Sequence, residues 1–190
     1  MRSSKNSQVS VVAPPAEDCG LVELCRYNTL VIEQVMALVE AHQAAAAPHY
    51  AVIAGPHLRH LIEHYEALLF RNDPARVDYD QRPRDRQVEH DPALAHERLR
   101  AIRAAIAALA RTEPADALQV SGLAGGQGEL TYTVHSSLAR ELVFLASHAV
   151  HHLAVIKPYC DAYGLPHDAH LGLAPATIAH QLSQGESSDV

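Results

Sequence analysis

The chain has little of several things that commonly reveal a function. It holds three cysteines, Cys19, Cys25 and Cys160, an odd number without paired spacing, which excludes a disulfide framework and suits a reducing, cytoplasmic setting. Positive charge is scarce: 15 Lys and Arg stand against 22 Asp and Glu, a formal net charge of -7. Nucleic acid is therefore not an expected partner, because phosphate binding draws its affinity from clustered cations. Long apolar runs are missing. The stretch Val9–Val12 is too short for the core of a signal peptide, and nothing later approaches membrane-spanning length, so no membrane is expected. No internal repeat or low-complexity tract occurs.

What remains is the composition of an ordinary globular protein, 48% hydrophobic and 19% charged over 190 residues, enough for one domain with a substantial core. The reading is a flexible tail over 1–17, a single domain over 18–180 and a polar tail over 181–190. The one abundance is histidine, with 14 residues.

Apolar residues recur at three- and four-residue steps through Leu24, Val31, Val35, Leu38 and Val39, predicting a first helix between an N-cap at Asp18 and a stop at Pro48. A second helix begins at Gly55-Pro56, since proline suits the first helical position, and runs to about Phe70. A charged connection of about twenty residues with three prolines follows, long enough to be functional or poorly ordered. Asp91 caps a third long helix from Pro92 to Arg111, with Leu99, Ile102, Ile106 and Leu109 on one side. The period then changes to two: Leu118 and Val120 alternate before a glycine cluster, and Leu130, Tyr132 and Val134 after it, predicting a short hairpin. A last long helix, capped by Ser136 or Ser137, should run to about Tyr163 with Gly164 as terminator, and Pro158 predicts a kink or early end. The expected fold is an all-α four-helix bundle with a long charged loop after helix 2 and a small β-hairpin before the last long helix.

Three imidazoles, His148, His151 and His152, interrupt the apolar run "ELVFLASHAVHHLAVI". His148 and His152 are one helical turn apart on a face shared with Glu141, Phe144 and Leu145, so together they can grip one ion. His151 lies at the edge of that face. A third ligand must come from elsewhere, and "HLRHLIEH" offers His57, His60 and His64 at spacings of three and four. On a helical wheel His57 and His64 flank the apolar stripe while His60 lies well round the other side, so spacing alone leaves the choice open. Cys160 is a poor ligand, about 12 Å beyond His152 along the helix.

Four segments in order, "AGPHLRHLIEHYEALL", "VDYDQRPRDRQVEHDP", "ELVFLASHAVHHLAVI" and "GLAPATI", resemble the DinB-like family of metal-binding four-helix bundles over roughly residues 20 to 180. The resemblance implies a divalent ion held by one histidine of the second helix and an H-x-x-x-H pair of the last long helix. Matched residue by residue, these are His60, His148 and His152. A helix buried on two sides would reconcile His60 with the wheel. The family includes bacillithiol- or mycothiol-dependent transferases, proteins labelled metal-dependent hydrolases, and the iron-binding domain of ergothioneine-type synthases, whose large second domain has no counterpart in these 190 residues. Many relatives pair as homodimers.

Three neutral imidazoles leave a divalent ion its full charge and at least one open position, a catalytic type of site. Zinc is the first expectation, with nickel, iron and manganese compatible. Hydrolysis or thiol transfer on a small substrate, a thiol or an anionic compound, is within its reach. Glu63 and Glu141 are the nearest carboxylates for proton handling, while His57, His64 and His151 are candidates for orienting the ligand rings. Tyr79, Arg82 and Arg84 in the charged connection could fold over the site and bind an anion, a reading the resemblance favours, while a run alternating Arg, Asp and Pro equally fits an exposed, solvated loop. The competing readings are a metal-dependent binding or sensor protein without turnover and a purely structural ion.

Overall fold

The periodic apolar stretches form helices whose inner faces close on a common core. The structure is a computed structural model that describes residues 20–45, 50–111 and 117–186. Helix α1 (Leu21–Ala44) begins after Gly20; the expected cap Asp18 and stop Pro48 lie outside the described residues. A π-helical turn, Tyr50–Ala54, leads into α2 (Gly55–Leu69), which starts with the expected proline. Strand β1 (Arg76–Asp78) and the short helix α3 (Arg86–His90) follow, then α4 (Pro92–Leu109), strands β2 (Leu118–Ala124) and β3 (Leu130–Ser136), α5 (Leu138–Tyr163) and α6 (Pro175–Glu186).

The molecule is mostly helical, with six α-helices and one small sheet among the described residues. Helix α1 packs on α4 and α5, and α2 packs on the same two. Ile32, Leu38, Leu58, Ile62, Leu99, Ile102, Leu142 and Ile156 are fully buried between them. Each such side chain removed from water contributes roughly 1.5–3 kcal/mol. One polar group is built into this core. Asn28 donates through Nδ2 to Leu142 O at 3.2 Å and Leu24 O at 2.8 Å, and its Oδ1 accepts from Tyr65 at 2.8 Å. Because all of these bonds are made inside the core, they tie α1, α2 and α5 in one register.

Two sequence expectations are extended. The predicted hairpin exists, with Val120 opposite Val134 in antiparallel register, but β1 joins it in parallel, with Val77 opposite Val120. The long charged connection thus carries a strand and a helix of its own. Helix α6 also reaches Glu186, well into the stretch expected as a polar tail. Helix α5 runs to Tyr163 as expected, and of the two effects expected of Pro158 the early end does not occur. Proline removes one backbone bond and crowds the carbonyl four residues back, and burial of Leu153, Ile156 and Cys160 on either side holds the last turns in place. Asp91 and Ser137 cap as expected, accepting from Leu94 N at 3.1 Å and Arg140 N at 3.2 Å. Gly164 ends α5 at φ 62°.

No helix among the described residues is long and apolar enough to cross a membrane.

Candidate functional site

Helix α2 is covered on several sides, by α4, by α5 and by α3, so a residue opposite its main apolar stripe still faces protein. This resolves the wheel's objection to His60. His60 points at α5, its ring centroid 5.1 Å from that of His148 and 4.9 Å from that of His152. His60, His148 and His152 each offer one ligand atom within 4.8 Å of the others, all three rings half-buried, and this group can hold a metal ion.

The spacing supports that fit. His148 Nε2 and His152 Nε2 lie 3.2 Å apart. Two nitrogens bound to one tetrahedral zinc at about 2.0–2.1 Å would be roughly 3.3 Å apart. The chemistry of the donors agrees. Burial and neighbouring positive groups push the His60 and His152 pKa values down to about 3, and burial holds His148 below its ordinary value. All three shifts favour the neutral ring, the form in which an imidazole can bind a cation.

The remaining candidates divide. His57 Nδ1 lies 2.9 Å from His152 Nδ1. If His152 uses Nε2 as a ligand, its Nδ1–H donates to His57, which fixes the tautomer and the ring plane. His64 does something else. Its Nδ1 donates to the carbonyl of His60 one turn back at 2.7 Å, its ring stacks on Tyr79 at 5.5 Å, and burial pushes its pKa down to about 4. It braces the helix beside the ligand group instead of bonding a ligand ring. His151 is exposed, its centroid 5.5 Å from that of His152, and orients nothing by hydrogen bonding among the described residues.

Neither carboxylate is free for proton transfer. Glu63 is buried; its Oε1 accepts from the Asp85 backbone N–H at 2.7 Å and its Oε2 from Arg59 at 3.2 Å. It anchors the charged connection to α2. Glu141, fully buried, accepts from Tyr79 Oη at 2.8 Å, from Arg140 at 2.8 Å and from Ser136 Oγ. Burial and this carboxylate raise the Tyr79 pKa, so the phenol keeps its proton. Tyr79 lies between His64 and Phe144, and Phe144 stacks on His148 at 5.6 Å. Glu141 therefore acts through a column of rings: it holds Tyr79, which packs the wall of the histidine group.

Of the two arginines, Arg82 reaches the site and Arg84 does not. Arg82 Nη1 donates to His60 Nδ1 at 2.9 Å, and its Nε donates to the Tyr79 carbonyl. Its 3.2 Å approach to His64 Nδ1 is donor against donor, since that N–H already serves the His60 carbonyl. Arg84 is exposed, with φ 52°, beside a cavity of about 450 Å³ lined by Asp78, Asp80 and Tyr132. Sequence reasoning missed Arg59, which bridges Glu63 and Glu89, the latter at 2.6 Å, and so helps fasten α3 over α2. Its i,i+4 spacing to Glu63 was the available signal. Cys160 is buried in the core, away from the group, as its helical position predicts.

No family model and no solved structure matches the chain. A stretch of 104 residues, 55% of the chain, is 35% identical to FK506-binding protein 5 of Rhizopus delemar, and spans 27% of that protein's length.

Proposed function

We propose that the chain is a metal-dependent protein of the DinB-like kind, a small enzyme in which His60, His148 and His152 hold a divalent cation, zinc before nickel, iron or manganese. The observation that carries this reading is the convergence of three neutral imidazoles from two helices, with no carboxylate among them. Such a cation acts as a Lewis acid toward a substrate carbonyl or thiol, which suits hydrolysis or thiol transfer. The chain's own groups supply the rest. His57 orients His152, Tyr79 and Phe144 wall the group on one side, and Glu63 holds Asp85 and with it the charged connection over α2. The burial of these rings lowers the local dielectric, which strengthens every charge interaction at the site.

Elemental analysis of protein purified without a chelating tag tests this, beside a His148→Ala, His152→Ala double variant. About one equivalent of one divalent metal in the wild type and almost none in the variant is expected. Equal content in both sinks the assignment. With the metal identified, turnover assays on thiols with electrophiles, and on amides and esters, separate the two reaction classes.

A further inference from the structure

Arg82 is a nearly buried cation whose hydrogen bonds go to an imidazole and a backbone carbonyl, with no carboxylate oxygen within hydrogen-bond distance. Its side chain is 9% exposed, yet Nη1 bonds an imidazole; the nearest carboxylate oxygen, Glu63 Oε2, is 3.8 Å away and already accepts from Arg59. The bond from Nε to the Tyr79 carbonyl fixes the guanidinium plane, with Nη1 on the His60 side. Nη2 makes no hydrogen bond among the described residues.

The bond to His60 has a further consequence. Arg82 can only donate, so His60 Nδ1 must present a lone pair, and the neutral ring then carries its proton on Nε2. A ring in that state cannot serve a cation through Nε2. If it moves its proton to Nδ1, or uses Nδ1 itself as the ligand atom, the bond to Arg82 is lost. Cation binding by His60 and the Arg82–His60 bond therefore exclude each other. When His60 serves a cation, Nη1 is released at the edge of the site, next to Nη2. Two parallel N–H groups on a planar fork match the two oxygens of a carboxylate.

We propose that Arg82 is the binding residue for a carboxylate on the small molecule this site takes. The inference rests on the metal-centre reading given above. It is supported by the hydrogen bonding of the neighbourhood: of the two carboxylates that act on Arg82, Glu63 accepts from Asp85 N and Arg59 and Asp80 from Leu123 N, so neither takes a hydrogen bond from the guanidinium.

The test uses cobalt(II)-loaded protein, titrated with acetate at constant ionic strength and followed by the visible spectrum, with acetamide and inorganic phosphate as parallel probes. Wild type should bind acetate and ignore acetamide, Arg82→Gln should bind acetate at least about tenfold more weakly, and Arg82→Lys should fall between them. Cobalt affinity of Arg82→Gln should equal or exceed that of the wild type, because a competing donor has been removed. Equal acetate binding by Arg82→Gln and wild type overturns the inference, as does loss of cobalt by Arg82→Gln with circular dichroism unchanged. Phosphate binding more tightly than acetate overturns the carboxylate class. A wild-type chain that takes up no cation overturns the metal-centre reading and this inference together, and the metal content, read first, tells that failure from the others.

Discussion

A histidine serves a cation only through a nitrogen without a proton, so what its second nitrogen touches decides whether it is ready. His152 has a partner that can make it ready: its Nδ1 lies 2.9 Å from His57 Nδ1, and a proton donated there leaves Nε2 a lone pair beside His148. His60 is held back by Arg82. This contrast between two candidate ligands of the proposed metal group yields a direct expectation for His57→Ala. Cation affinity should fall roughly 10- to 100-fold, the usual effect of losing a group that orients a ligand ring, while the far-ultraviolet circular dichroism stays that of the wild type. Competition against a chromophoric chelator measures it, and an unchanged affinity would remove His57 from the account. His64, close by and equally well placed in the sequence, has spent its Nδ1 proton on a backbone carbonyl, and a wheel cannot distinguish the two roles.

At the level of elements, the site depends on how closely α3 lies against the start of α2. Gly55 allows that approach: a Cβ there would come 2.1 Å from the Glu89 carbonyl oxygen, which is backbone and cannot step aside. Gly55→Ala should therefore push α3 off α2, stretching the Arg59–Glu89 ion pair and loosening the segment that carries Arg82. A cost of about 1–3 kcal/mol is expected, as for other overpacked contacts. It should appear as a lower melting temperature and as faster proteolysis between Asp78 and Arg86 than in the wild type. Resistance equal to the wild type would mean that the connection is held by Glu63 and Arg98 alone. The latter reaches from α4 to Glu66 at 2.7 Å and to Asp85 at 3.3 Å.

For the whole molecule, the cost of gathering imidazoles appears as acid sensitivity. The folded pKa values of about 3 for His60 and His152 and about 4 for His64 lie below the value near 6.5 expected in the unfolded chain. The unfolded state therefore binds more protons below pH 6.5. No penalty applies above that pH; it grows as pH falls through 6 and 5 toward the folded values. Urea unfolding of chelator-treated protein at pH 7, 6 and 5 should show a midpoint that drops at each step, and a flat or rising midpoint would show that the rings are not held neutral by the fold. Added divalent cation should raise the midpoint at pH 7 by mass action, about 2.7 kcal/mol at a hundred times its dissociation constant.

Several of these features could be read in the sequence because they are local. A 3.6-residue period, a cap at Asp91 or Ser137, a left-handed glycine at 164 and the one-turn spacing of His148 and His152 each depend on residues within a few positions of one another. Helical spacing could not say that His60 converges with both members of that pair, a choice that came from the resemblance. Tertiary structure alone decided that His57 and His64 also touch the pair, that Glu63 and Glu141 are tied up as anchors, and that Arg82 rather than Arg84 reaches His60. These outcomes depend on pairs far apart in the chain: 95 positions separate His57 from His152, 62 separate Tyr79 from Glu141, and 22 separate His60 from Arg82. Such partners are set by the sides on which helices bury one another, and a periodicity taken along one helix carries no information about the covering of its opposite face.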